Sequence, residues 1–180
     1  MRFRDLITEG TSISIGQLNT IDEPLYVLIA GGVGAGKSYV LSKNTDLPII
    51  DVDDVTMELG NGKYDSKNTG RAREITKQKV ADAMEKGESF IQMGTSANLN
   101  STINKLTYAK SNGYTTVLLF IDTPPEQAYA NNQERVGAGG RGNEIPEHKF
   151  QRTYDGAKNT FDKLKDNELT DYVIHYDNRR

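Results

Sequence analysis

The sequence predicts an α/β domain with a mainly parallel β-sheet. Apolar runs of strand length recur along the 180 residues, with helical patterns between them, which is typical of β-α units. Most of these runs end in small, polar or acidic residues, and ligands of open α/β sheets bind at the carboxyl ends of the strands. The predicted strands are 25–30, 47–52, 89–94, 115–122 and 172–176.

Helices are predicted from apolar spacing and from residues typical of helix ends. In segment 71–86 the apolar side chains fall on one face, and Gly87 follows it, a residue suited to the left-handed position after a helix. Further helices are predicted after the P-loop and at about 101–112, 124–136 and 146–164. Two stretches rich in glycine and asparagine, 60–70 and 137–144, are predicted as loops over the ligand site.

Composition favours one domain, which we place at residues 23–180. With 36% apolar residues the chain has enough apolar surface for one sizeable core,. The absence of cysteine excludes a disulfide framework, a thiolate metal site and a cysteine nucleophile, and it favours a cytoplasmic protein. A net charge of −3 does not favour nucleic acid as the partner, although a local basic groove is compatible with it.

Residues 1–22 are predicted to be an appendage to this domain. The first ten residues carry apolar side chains at Phe3, Leu6 and Ile7 with charges between them, the pattern of a short amphipathic helix. They lack the apolar core of a secretory signal, and no apolar run approaches the ~20 residues that cross a bilayer. The segment resembles short leaders of tailed-phage virion proteins, which would place a phage-encoded chain in the host cytoplasm or the virion.

Residues 31–38, GGVGAGKS, match the phosphate-binding pattern G-x-x-x-x-G-K-[ST] in full,. They follow an apolar strand and precede a helical segment, the context in which such a P-loop binds a nucleotide. Lys37 would place a positive charge at the phosphates, and the Ser38 hydroxyl would ligate Mg²⁺. The predicted nucleotide-binding residues are Gly31, Gly32, Val33, Gly34, Ala35, Gly36, Lys37, Ser38 and Tyr39.

Three carboxylates follow the second predicted strand. Strand alternation would put Asp51 and Asp53 on the same side, facing the site. A kinase needs one carboxylate to orient or deprotonate the acceptor hydroxyl and another to hold Mg²⁺. We assign the first role to Asp53, for which helix capping is the alternative, and the metal role to Asp51. Asp54 is predicted to be the N-cap of the next helix.

Two arginines lie where a closing loop is predicted. Arg135 stands near the end of a predicted helix, and Arg141 lies in the glycine-rich stretch that follows it. Arginines in such a loop stabilise the charge of a phosphoryl group in transfer. The alternative for both is a solvated surface charge. Arg73 and two further arginines are predicted to be surface residues.

The order of these motifs resembles the P-loop kinases that include zeta toxins, phage-type polynucleotide 5′-hydroxyl kinases and related small-molecule kinases. The resemblance spans about 25–164 and rests on GGVGAGKS, IIDVDD, MGTSANLN, FIDTPPEQA, NNQER and GGRGNEIPEHKF. It implies a three-layer P-loop NTPase fold, with a five-stranded parallel sheet of strand order 2-3-1-4-5 and helices on both faces. It also implies that Asp53 is the general base, that Arg135 is the lid arginine, and that Arg141 matches a Gly-Arg of zeta toxins.

The sequence departs from that group at two positions. An acidic residue often follows the third strand in the group, where this chain has Thr95 and Ser96, and Asn131 stands where a second arginine is frequent. The Asp-Val-Asp at 51–53 also resembles shikimate and gluconate kinases. The Asn-Lys-x-Asp motif of GTPases is absent, which favours ATP.

We therefore predict an ATP- and Mg²⁺-dependent kinase with Lys37, Asp53, Arg135 and Arg141 as catalytic residues. Its acceptor would be a hydroxyl of a nucleotide sugar, a polynucleotide end or a small metabolite. The alternative from another class is a nucleotide-binding interaction or virion protein that does not transfer phosphate. The sequence does not indicate an oligomeric state.

Overall fold

The computed structural model describes residues 10–137 and 145–179. In these residues one sheet has six parallel strands in the order β1-β6-β5-β2-β4-β3. The strands are β1 (Thr11–Ser12), β2 (Leu25–Ala30), β3 (Ile49–Ile50), β4 (Phe90–Gln92), β5 (Thr115–Asp122) and β6 (Tyr172–Asp177).

The prediction of a five-stranded sheet is wrong, because β1 adds a strand at the edge beside β6. The backbone N–H of Thr11 donates to the carbonyl of Asp171 at 3.0 Å. The order of the whole sheet therefore differs from the predicted one; within it the five predicted segments follow one another as β3-β4-β2-β5-β6. A two-residue strand is too short to show the alternation by which strands are recognised.

Helices cover both faces of the sheet. They are α1 (Lys37–Asn44), α2 (Val52–Leu59), α3 (Thr69–Glu85), α4 (Leu99–Ser111), α5 (Pro125–Gly137) and α6 (Glu147–Leu164), with 3-10 turns at Ile15–Thr20 and Ser66–Asn68. The predicted loop at 60–70 is therefore shorter than expected, because α3 already begins at Thr69. In the other predicted loop, residues 138–144 lie outside the described residues.

Side-chain alternation along β2 explains the three layers. Tyr26 and Leu28 pack into a cluster with apolar residues of α3, α4 and α6. Val27 and Ile29 point to the opposite face, where they join α1 and the 3-10 turn at 15–20. All of β2 is buried, as expected for a central strand with a helical layer on each side.

The described part of the predicted appendage packs against the domain. Ile15 and Leu18 are buried in the same apolar cluster as α1, and β1 pairs with β6. The predicted amphipathic helix at residues 1–9 lies outside the described residues. The boundary at residue 22 stays a prediction.

The parallel sheet brings the ends of four strands to one edge. At this edge the P-loop follows β2, α2 follows β3, a short turn with Thr95 follows β4, and α5 begins shortly after β5. Segments far apart in sequence are thereby brought to one place, as expected for an open α/β sheet.

Candidate active site

Two glycines give the P-loop its shape. Gly34 and Gly36 have φ values of 73° and 77°, in the left-handed region that residues with a Cβ rarely adopt. A Cβ on Gly34 would lie 2.3 Å from the carbonyl oxygen of Ala128. Gly36 is the N-cap of α1, so the loop runs directly into the helix end that carries partial positive charge.

Neighbouring elements hold the P-loop from outside. Asn131 Nδ2 of α5 donates to the carbonyl of Gly34 at 3.2 Å, and the Thr123 hydroxyl donates to that of Ala35 at 2.8 Å. The N–H of Val33 donates to the Thr153 hydroxyl of α6 at 3.2 Å. These contacts fix the loop before any ligand binds, which reduces the ordering cost of phosphate binding.

Lys37 is partly buried, close to the charges of Asp51, Asp53 and Arg135. Its Nζ donates to the carbonyls of Gly31 and Gly32, at 3.2 and 2.8 Å. Burial lowers the pKa of Lys37 to about 8; the nearby charges of Asp51 and Asp53 act in the opposite direction. An ammonium whose charge is disfavoured by burial gains most from an anion placed beside it, so this position suits a phosphate.

Asp51 and Asp53 reach the site in a way the sequence did not predict. Asp51 is not a strand residue but the N-cap of α2, where its Oδ1 accepts from the Asp53 N–H at 2.9 Å. Asp53 and Asp54 belong to the first turn of α2, so the assignment of Asp54 as the N-cap was wrong. Strand β3 ends at Ile50, and the start of the helix, rather than strand alternation, turns both carboxylates to the cleft.

A cleft of about 600 Å³ joins these elements. Residues from six separate segments line it: 33–38 of the P-loop, 51–53, the region 64–73, the turn 93–95 after β4, Lys105 of α4, and α5. The structure therefore brings together Lys37, Ser38, Asp51, Asp53 and Arg135, which the sequence had singled out.

Helix α5 contributes Arg135 to this cleft. Its Nη2 donates to Oδ1 of Asn132, one turn earlier on the helix, at 2.8 Å. Arg135 is close enough to Lys37 that its positive charge helps to lower the pKa of that lysine. Two cations held near each other favour a ligand with several negative charges, such as a nucleoside triphosphate.

The turn after β4 is fastened to the P-loop strand. The carbonyl of Thr95 accepts from the N–H of Gly31 at 3.1 Å, and the Ser96 hydroxyl donates to the carbonyl of Ile29. Ser96 has a φ of 49°, and a non-glycine residue held in this region indicates strain that the surroundings maintain. The turn thereby presents Thr95 to the cleft, where related kinases often have a carboxylate.

Some predicted site residues do not line the cleft. Gly31 and Gly32 are not among its lining residues, and their carbonyls accept hydrogen bonds from Lys37. Tyr39 is 61% exposed on α1, and Lys43 lies over its ring. Arg141 lies outside the described residues. The roles of these residues stay predictions.

Some residues that line the cleft were not predicted as site residues from the sequence. Arg73 of α3 was expected to be a surface residue, and it lines the cleft while being exposed. Lys105 of α4 and Asn132 of α5 also line it. Helical periodicity predicts the face of the helix on which each of these side chains lies, but not the element that this face contacts. Their place in the cleft is therefore visible only in the folded structure.

The cleft residues suit ATP and Mg²⁺. Within 10–137 and 145–179 no group of three or more His, Cys, Asp or Glu side chains is arranged to hold a metal ion. Magnesium commonly keeps several waters and takes one or two carboxylates together with phosphate oxygens. The Ser38 hydroxyl and the Asp51 carboxylate both line the cleft and would be that limited protein share; the assignment of Mg²⁺ to these two residues stays a prediction.

Replacing Asp51 separates its capping role from its metal role. Asp51→Ala should lower the free energy of unfolding by about 1 kcal/mol, because α2 loses its N-cap acceptor. Asp51→Ser should keep most of that stability, since a serine hydroxyl also caps, but it lacks the carboxylate. We expect both variants to need more Mg²⁺ for half-maximal phosphoryl transfer. Urea unfolding and a Mg²⁺ titration measure the two effects, and a wild-type Mg²⁺ requirement in both variants would contradict the metal role.

The fold and this cleft define the class of protein. A central parallel strand leads into a complete P-loop, and Lys37, Asp53 and Arg135 meet beside it, the arrangement of a P-loop phosphotransferase of the kinase type. The chain belongs to the Zeta toxin family, whose model matches residues 14–180. The predicted resemblance to this group is confirmed.

Solved structures share the fold. A chain of the Pnkp1/Rnl/Hen1 RNA repair complex is 18% identical with a TM-score of 0.65, over 81% of this chain and 48% of that one. A chain of the PezAT toxin-antitoxin system of Streptococcus pneumoniae is 20% identical with a TM-score of 0.62, over 82% and 67%. A chain of the AvrRxo1-ORF1:-ORF2 complex with ATP is 12% identical with a TM-score of 0.64, over 83% and 53%. This chain thus spans about half to two thirds of their lengths.

No curated protein sequence matches this chain. None of the helices in the described residues is both long and apolar enough to cross a membrane.

Proposed function

We propose that the chain is an ATP- and Mg²⁺-dependent kinase that transfers the γ-phosphoryl group to a hydroxyl of an anionic acceptor. The observation that carries this proposal is the meeting of Lys37, Asp53 and Arg135 in one cleft beside the P-loop. A protein that only bound a nucleotide would need the P-loop and its lysine. The carboxylate and the arginine are the additional groups that transfer requires.

Each of the three side chains has a distinct task in transfer. Lys37 moves from the carbonyls of Gly31 and Gly32 to the β- and γ-phosphate oxygens. Asp53 orients the acceptor hydroxyl and accepts its proton. Arg135 stabilises the charge on the phosphoryl group between donor and acceptor oxygens. Mg²⁺, when bound, neutralises charge on the β- and γ-phosphates.

Strand order divides the cleft into two halves. The P-loop follows β2 and α5 follows β5, so the nucleotide half lies over this pair of strands. Asp51 and Asp53 follow β3, and Thr95 follows β4, its neighbour in the sheet. The acceptor half of the cleft therefore lies over β4 and β3. There Asp53 would face the phosphoryl group that is transferred.

Positive charge in the acceptor half favours an anionic acceptor. Arg73 of α3 and Lys105 of α4 line the cleft. Burial lowers the pKa of Lys105, and no salt bridge between described residues includes either cation. Lys105, which is partly buried and in no salt bridge of the described residues, is favourable where a bound anion pairs with it; Arg73 adds an exposed positive charge to the same half.

A groove next to the cleft favours an extended acceptor. It has a volume of about 570 Å³, lies between α3 and α4, and shares Lys105 with the cleft. Half of its other lining residues are apolar or aromatic, namely Tyr26, Val80, Met84 and Tyr108, and the other half are polar or charged. If the acceptor hydroxyl lies at Asp53 and an anionic group of the acceptor binds Lys105, the groove has room for the rest of the acceptor molecule. This supports a nucleotide sugar or a polynucleotide end over a small metabolite.

The test is transfer from γ-labelled ATP in the presence of Mg²⁺. The acceptors, offered one at a time, are a UDP-sugar, an oligonucleotide with a 5′-hydroxyl, shikimate, gluconate and an uncharged hexose. We expect label in one of the first two and none in the hexose. A Lys37→Ala variant purified in the same way controls for contaminating kinases, because its P-loop lacks the lysine.

Other results of this assay would change either the proposed acceptor or the proposed activity. Label in shikimate or gluconate alone would keep the kinase and reject the extended acceptor. Label released only as free phosphate, or ATP bound without turnover, would favour the alternative of a nucleotide-binding interaction protein. That alternative rests on Thr95 and Asn131, which stand where related kinases often have a carboxylate and a second arginine.

A further inference from the structure

Asn132 is the most deeply buried side chain among the polar groups that line the cleft on α5. It is 1% exposed, and it is one of the cleft residues. Its Oδ1 accepts the hydrogen bond from Arg135 Nη2 at 2.8 Å. Asn132 therefore contacts the guanidinium that the proposed transfer requires.

The NH2 group of the Asn132 side chain makes no hydrogen bond with the described residues. Its nitrogen, Nδ2, is buried. An unpaired buried donor costs about 1–3 kcal/mol relative to an apolar group of similar shape, so a leucine here would be at least as stable. The asparagine is therefore not explained by packing, and buried groups of this kind call for a functional explanation.

The neighbouring residue ties the same helix turn to the P-loop. Asn131 Nδ2 donates to the carbonyl of Gly34 at 3.2 Å, and Gly34 itself lies against Ala128 of α5. The turn that carries Asn132 thus has a fixed position relative to the phosphate-binding loop. A guanidinium held by this turn has a fixed position relative to bound phosphates as well.

We propose that Asn132 is a positioning residue that holds Arg135 for phosphoryl transfer. An amide oxygen is suited to this task because it accepts from the guanidinium without carrying a charge. A carboxylate in its place would pair with Arg135 and neutralise the charge meant for the phosphoryl group, and an aliphatic side chain would leave the guanidinium free to turn. The proposal rests on the proposed kinase function.

The central experiment is a double-mutant cycle of Asn132→Leu and Arg135→Ala. Asn132→Leu should lower kcat by about 10- to 100-fold, the size of effect that a misplaced catalytic group produces. The KM for ATP should change far less, and Tm should stay equal or rise because the unpaired donor is gone. In the Arg135→Ala background the leucine should have little further effect on kcat, since Asn132 acts through that arginine. Equal losses in both backgrounds, or a wild-type kcat in Asn132→Leu, would overturn the proposal.

Two further variants control the interpretation. Gln133→Leu makes the same change at the next residue, which is exposed and does not line the cleft, and it should keep the wild-type kcat. Asn132→Asp keeps the shape and the acceptor oxygen but adds a charge, so it should lower kcat as well. If the leucine variant does not fold, the aspartate variant decides: a wild-type kcat there would overturn the proposal.

A measurement without turnover separates this proposal from the proposed function. Relaxation of the Arg135 Nε–Hε group by NMR reports how well the guanidinium is ordered. We expect an ordered group in the wild-type protein and a more mobile one in Asn132→Leu. Equal order in both proteins would overturn the positioning role even if no acceptor is phosphorylated. Absence of transfer by the wild-type protein, with ordering lost in the variant, would instead reject the kinase function and leave Asn132 as the residue that orders Arg135.

Discussion

Replacing Asp53 with alanine should lower kcat for phosphoryl transfer by about 10²- to 10⁴-fold, the usual contribution of a general base. The affinity for ATP should change little, because Asp53 lies in the acceptor half of the cleft and the nucleotide is held by the P-loop. Single-turnover transfer and equilibrium binding of ATP measure the two effects separately. A change in kcat with constant affinity is the mark of a group that acts in the transition state.

Asp54 provides a matched control for this experiment. It is the next carboxylate in the same first turn of α2, and it does not line the cleft. Asp54→Ala therefore removes the same charge from the same helix end and should keep most of the wild-type kcat. An Asp53→Asn variant, which keeps the shape but not the basicity, should lose about as much as Asp53→Ala. Unchanged turnover in both Asp53 variants would remove Asp53 from the mechanism.

The nucleotide half of the site was predictable because its information is local in sequence. The P-loop is a contiguous segment whose glycines, lysine and serine each have a mechanical reason, and β2 before it is a fully apolar strand. Its position at the carboxyl edge of the sheet follows from the β-α order alone. Residues such as Lys37 and Ser38 could therefore be placed at the cleft before the fold was known, while their roles stay predictions.

The geometry of the carboxylates was not predictable in the same way. Asp51 and Asp53 were expected to share a side of a strand, yet β3 ends at Ile50 and α2 begins at once. Helix propensity and capping decide such a boundary within one or two residues, and an Asp that can cap a helix can also occupy a strand end. Both residues still line the cleft, because a helix start and a strand end lie at the same edge of the sheet.

The residues missed in the sequence depend on burial and on side-chain contacts that only the folded structure determines. Lys105 lies on α4 with the spacing of an ordinary surface lysine, and only the packing of α4 on the sheet brings it to the cleft. Asn132 looks like one more polar residue in NNQER, and its role depends on burial and on a hydrogen bond within α5. Neither burial nor the partner of a side chain can be derived from a single segment.

Arg135→Ala should lower kcat by about 10³-fold, within the range found when an arginine that stabilises the transferring phosphoryl group is removed. The loss should appear mainly in kcat, because Lys37 and the backbone of the P-loop remain to bind ATP. Arg135→Lys should recover only part of it, since an ammonium keeps the charge but not the planar fork that binds two oxygens at once. Added guanidinium ion should restore some activity to the alanine variant and none to the lysine variant.

Arg152 is a suitable control for that variant. It is an exposed arginine of α6 that does not line the cleft, so Arg152→Ala removes one positive charge from the protein without touching the site. A similar loss of kcat in both alanine variants would indicate an effect of overall charge, which added salt would weaken. A loss confined to Arg135→Ala, and insensitive to salt, would indicate direct contact with the phosphoryl group. Full activity of Arg135→Ala would contradict the role of α5 in transfer, and the positioning role of Asn132 in catalysis with it.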